Sequence, residues 1–105
     1  MTDVCIVLCT CPDTNSAERI ASALIEQQLA ACVSISHPIT SLYRWEGKVE
    51  KSQEFQLVIK TQHAVLNDAY DMVNTLHPYD VPEWLVIQNI TGSEPYIEWL
   101  ESCIR

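Results

Sequence analysis

The segment Val4–Cys11 constrains this chain more than any other, because it is β-branched or thiol-bearing almost throughout and is stopped by Pro12 and Asp13. A run of this kind is a strand. Side chains along a strand alternate between its faces, so Val4, Ile6 and Leu8 point one way while Cys5, Val7 and Cys9 point the other. Both faces are apolar, and both need cover.

The rest of the chain divides by hydrophobic period. Asn15 is placed to cap a helix with Glu18 at its third position, and Ala17, Ile20, Ala21, Leu24, Ile25 and Leu29 recur at helical spacing, which predicts a helix over residues 16–28. Residues 31–36 and 40–45 read as extended, with Pro38 forcing a bend or bulge between them. Glu46-Gly47 can turn the chain. Phe55, Leu57 and Ile59 alternate within residues 54–61, which are expected to return antiparallel to residues 41–45; Lys48, Glu50, Lys51 and Glu54 then form a solvated hairpin tip. From Ala64 the period becomes helical through Val65, Leu66, Ala69, Val73 and Leu76, and His77-Pro78 closes that helix because a residue before proline avoids the helical region. Residues 84–90 read as a last long strand. Ser93 to Pro95 carry a helix-start signature ahead of Tyr96, Ile97, Leu100 and Ile104.

The order is βαββαβ plus a terminal helix: an α+β, ferredoxin-like two-layer sandwich with an antiparallel sheet, expected to be one domain over residues 1–105. Two helices cover one sheet face, so the other apolar face of Val4–Cys11 lacks a partner within the chain. A second copy of the chain is the expected cover, which makes the protein a homo-oligomer.

Charge narrows the partners. Six Lys and Arg against fourteen Asp and Glu give a net charge of -8, the wrong sign for a protein that displaces counterions from nucleic acid or docks on an anionic membrane. No apolar stretch near the start approaches the roughly 20 residues of a membrane span, and no basic leader precedes it, so the expectation is a cytoplasmic protein. The five cysteines lack the spacing of a secreted disulfide scaffold and are expected as free thiols.

Cys9-Thr10-Cys11 is the strongest chemical signal, since residues two apart on a strand share a face and can present two thiolates to a soft ion. The competing reading is two small buried hydrophobes; Cys5, Cys32 and Cys103 read as packing residues. In the ferredoxin-like order the end of the second helix shares a rim with the end of the first strand, so His77 can approach Cys9 and Cys11. The last strand lies beside the first, which brings Trp84, Glu83 and Asp80 near them. His77 also reads as a plain helix C-cap, and His37 and His63 as surface or cap residues. Tyr43, Trp45 and Trp84 read as packing aromatics, with Tyr43-Arg44-Trp45 a candidate subunit contact. There is no glycine-rich phosphate loop, no nucleophile elbow, no arginine in residues 11–16 to hold a phosphoryl group and no cationic sequence neighbour to activate Cys9, so an enzyme is not expected.

Ser41-Leu42-Tyr43-Arg44-Trp45-Glu46-Gly47-Lys48, Leu29-Ala30-Ala31-Cys32, Leu8-Cys9-Thr10, Glu54, Lys60-Thr61, His77-Pro78-Tyr79, Pro82-Glu83 and Trp99-Leu100 together resemble the CutA divalent-cation-tolerance family over nearly the full length. The resemblance implies a non-enzymatic homotrimer concerned with tolerance of copper and other divalent metal ions. It places copper-ligand roles on Cys9 and His77; Cys11, on the same strand face, and Glu83, near it in the topology, are further candidates. The second histidine that some members carry before the equivalent of His77 is Leu76 here. The alternative function is a signalling or scaffold trimer that takes a small ligand or partner in its intersubunit clefts.

Overall fold

The computed structural model describes residues 3–105; Met1 and Thr2, at the head of the expected domain, lie outside the described residues. Its elements are β1 (Val4–Cys11), α1 (Thr14–Glu26), β2 (Cys32–Ile35), β3 (Ile39–Trp45), β4 (Lys48–Gln62), α2 (Leu66–Leu76, entered through a 3-10 turn at His63–Val65), β5 (Leu85–Ile87) and α3 (Glu94–Ser102). The sheet order is β2-β4-β1-β5, with β3 paired to β4 and every pairing antiparallel. This is the ferredoxin-like arrangement, its second strand divided into β2 and β3 around Pro38.

Helices α1 and α2 pack on one sheet face. Val7, Cys9 and Cys11 of β1 meet Ala17, Ile20 and Leu24 of α1, Leu57 and Ile59 of β4, and Ala69 and Val73 of α2 in one buried core. Helix α1 begins two residues earlier than its expected start at residue 16. Asp13, in extended conformation, is the cap, and its Oδ1 accepts the Ser16 N–H at 2.7 Å, so Asn15 falls inside the helix. Either residue type can cap; the helix starts as soon as Pro12 has ended β1.

Four further expectations are corrected. Residues 54–61 do not pair with residues 41–45. Strand β4 is a single 15-residue element whose first part, Lys48 to Glu54, pairs β3, while Phe55 to Gln62 pairs β1 and Leu57 to Lys60 pairs β2. The turn at Glu46-Gly47 has φ of 50° and 77° at its two residues, the left-handed pair that a two-residue hairpin needs. The resulting two-stranded arm projects from the body and stretches the molecule to 45 × 24 × 24 Å. Glu54, at its root, is buried rather than solvated at the tip.

The last strand is three residues, not seven, because Asn89 turns the chain at φ 61°. The outer face of β1 is partly covered from within the chain: Ile97 and Leu100 of α3 close over Val4 in a second buried cluster. Beyond that seat Ile6 and Leu8 stay half-buried, and their cross-strand partners Ile87 and Leu85 are 43% and 57% exposed.

Candidate metal centre and adjoining cavity

Strand alternation puts Cys9 and Cys11 on the helix side of β1, and both are fully buried. His77 follows α2 in extended conformation, with φ −76° and ψ 137°, held there by Pro78 and by its own N–H on the Val73 carbonyl at 2.8 Å. This geometry turns the ring onto the end of β1. The Cys9 Sγ, the Cys11 Sγ and a His77 ring nitrogen lie within 4.8 Å of one another, and all three residues are buried. The sequence expectation that topology brings His77 to the two thiols is met in the described structure.

Both ring nitrogens of His77 are engaged. The Tyr79 N–H donates to Nδ1 at 3.0 Å, so Nε2 carries the proton and donates it to the Thr10 carbonyl at 2.7 Å. The Cys11 Sγ stands 3.8 Å from the same Nε2. The thiols also act on each other. The hydrogen bond with Cys11, followed by burial, pushes the Cys9 thiol far up, while the same bond lowers Cys11 against its own burial. Cys9 therefore holds its proton, and Cys11 ionises first.

As a donor set, two sulfurs and one imidazole nitrogen suit a soft cation such as Cu(I) or Zn(II). His77 as it stands is closed to coordination, however. Ligation through Nε2 needs that proton to move to Nδ1, and the Tyr79 N–H must then let go. Leu76, at the position where a second histidine could stand, packs against the core and offers no donor.

Glu83 stands outside the three-donor group but is near enough for its charge to raise the Cys9 thiol further. Its Oε1 is buried without a hydrogen-bond partner among the described residues, and burial, then the nearby Glu54, raises its carboxyl. Trp84, just before β5, packs against Tyr70 with ring centroids 5.3 Å apart and the planes tilted by 57°. Beside the thiol site the arm with Glu54 at its root, the end of β1 and the segment 78–83 line an open cavity of about 530 Å³ whose walls include Thr10, Tyr43, Trp45, Glu54, Tyr79 and Glu83. The Tyr79 hydroxyl donates to Glu54 Oε2 at 3.1 Å, and burial, then Glu54, pushes that phenol up to about 12.

Tyr79 is the positioning residue that sequence reasoning missed. It orients the His77 ring through its backbone and Glu54 through its side chain, and the only trace of it in the sequence was its place directly after His77-Pro78. His37 and His63 are exposed and away from the thiols, as expected. All five cysteines are free.

Comparison with known proteins agrees with this architecture. The family model of the CutA1 divalent ion tolerance protein matches residues 5–103. The divalent-cation tolerance protein CutA of Pectobacterium atrosepticum is 40% identical over 103 residues, 98% of this chain and 94% of that one. The Arabidopsis thaliana protein named CutA, chloroplastic, is 39% identical over 95% of this chain, which spans about half of that relative's length (55%). The crystal structure of CutA from Xylella fastidiosa superposes with a TM-score of 0.95 at 41% identity, covering 99% of this chain and 100% of that one. A family match across nearly the whole length, on the same fold, means that the chain belongs to the CutA1 divalent ion tolerance family.

Proposed function

We propose that this protein serves divalent metal tolerance as a non-enzymatic cytoplasmic homotrimer that binds copper through Cys9, Cys11 and His77. The observation that carries the reading is the buried gathering of two sulfurs and one imidazole within 4.8 Å, a donor set selective for soft ions. Cys11 supplies the first thiolate, Cys9 the second once its proton leaves, and His77 the nitrogen after its proton shifts to Nδ1. Uptake therefore releases protons and weakens as pH falls. Glu83 lies outside the three donors and acts on Cys9 through charge.

The trimer rests on two features. An isolated two-stranded hairpin is marginal in water, yet the arm of β3 and β4 is exposed along residues 42–51 and carries Leu42 and Val49, each more than two-thirds exposed, on the face opposite Tyr43 and Trp45. The outer sheet face adds Leu85 and Ile87. Neighbouring copies cover both. Five unpaired cysteines match a reducing compartment, and among the described residues no helix is long and apolar enough to cross a membrane.

The test is anaerobic titration of the reduced protein with Cu(I), and with Zn(II) in parallel, against a competing chelator. One ion per chain is expected, with uptake lost in Cys9→Ser and in His77→Ala. Absence of stoichiometric uptake, or uptake indifferent to both changes, would leave the trimer as a scaffold instead.

A further inference from the structure

We infer that the cavity between the arm and residues 78–83 is a binding site for an organic ammonium cation, separate from the thiol site. Its walls combine three aromatic rings, Tyr43, Trp45 and Tyr79, with three carboxylates, Glu54, Asp80 and Glu83, and its described lining contains no lysine, arginine or histidine. Register explains the arrangement. Tyr43 pairs Glu50, Trp45 pairs Lys48 and Ile39 pairs Glu54 across the arm, so the two arm aromatics and Glu54 share one face of the ribbon, turned toward residues 78–83.

Two details call for a cation. Glu54 is only 8% exposed, and among the described residues its carboxylate accepts one hydrogen bond, on Oε2 from the neutral Tyr79 hydroxyl. Glu83 Oε1 is buried with no hydrogen-bond partner among the described residues. Buried carboxylate oxygens are costly unless paired, and no basic side chain of the described lining reaches them. The walls select the kind of cation. A hard metal ion needs six or more oxygens closely around it, which a wall shared with three rings does not supply. A quaternary or alkylated ammonium instead gains from ring faces and carboxylates together. The cavity volume of about 530 Å³ is that of a small-molecule site and far exceeds a bare ion. The chain's net charge of -8 draws cations toward it.

The probe is choline chloride, titrated calorimetrically into the full chain as it assembles in solution, with 3,3-dimethylbutan-1-ol as its neutral isostere and calcium chloride as the hard cation. Saturable binding of choline at one per chain is expected, with the neutral alcohol weaker by about tenfold or more. Glu83→Gln should weaken choline by a similar factor. Tyr43→Leu, at a half-exposed position that the core does not use, should do the same and keeps the test decisive if Glu83→Gln fails to fold. Cys9→Ser should bind choline as the parent does, so failure of the copper reading and failure of this one are told apart. Equal binding of the alcohol, preference for calcium with no choline uptake, or indifference to both cavity variants would each overturn the inference.

Discussion

Replacing His77 with alanine tests whether the residue is a structural clasp apart from the metal-ligand role proposed for it, because its structural share is measurable with no metal present. The buried imidazole donates to the Thr10 carbonyl at 2.7 Å and accepts from the Tyr79 N–H at 3.0 Å, so it ties the end of β1 to the segment after α2. Each such bond contributes a net ~1 kcal/mol, and a buried carbonyl left without a partner adds a desolvation penalty of similar size. Losing the ring's packing adds more, since the site is closed and relaxes only in part. Together, His77→Ala should lower stability by about 2–4 kcal/mol, a large share of the 5–15 kcal/mol typical of a domain. The assay is urea unfolding at one fixed protein concentration, with chelator throughout, because an assembling protein gains apparent stability with concentration and with any bound ion. A loss below about 0.5 kcal/mol, within the range of ordinary surface substitutions, would refute the account of His77 as a two-ended clasp and leave its burial unexplained.

Thr61→Val keeps the side-chain shape but removes the hydroxyl that donates to the Leu29 carbonyl at 2.6 Å in a fully buried position; a loss of about 1–3 kcal/mol in the same unfolding assay is expected. The carboxyl of Asp13 is held below its ordinary value by the Ser16 N–H and hydroxyl, so its capping contribution is complete above the unfolded carboxylate range and fades as pH falls through its lowered folded value. Asp13→Ala should therefore destabilise the protein at pH 7 and cost progressively less as pH is lowered through the acid range, read by thermal melts at a series of pH values. Leu42→Ala on the projecting arm should weaken the proposed trimer by about 3 kcal/mol per subunit while each subunit stays folded, followed by sedimentation together with melting; an intact trimer with an unchanged melting temperature would sink the arm as an interface.

The readable parts of the sequence were those whose physics is local. The steric conflict before a proline ended α2 at Leu76 and turned His77 extended, and the apolar run of Val4–Cys11 was a strand whatever surrounded it. Strand alternation then put both thiols on one face, and the single ferredoxin-like topology was enough to bring His77 to them. The unreadable parts depended on partners distant in the chain. Nothing near Glu54 in sequence distinguishes it from the charged residues of the arm; it is buried because β4 continues unbroken from arm to body and Tyr79, 25 residues on, donates to it. The last strand shortened because Asn89 could adopt a left-handed turn, which local pattern permits but does not require. Sequence placed His77 beside the thiols, while tertiary structure alone decided that its two nitrogens are already taken by the Thr10 carbonyl and the Tyr79 amide. Hydrogen bonds of that kind depend on ring orientation at ångström precision, and side-chain periodicity carries no information at that scale.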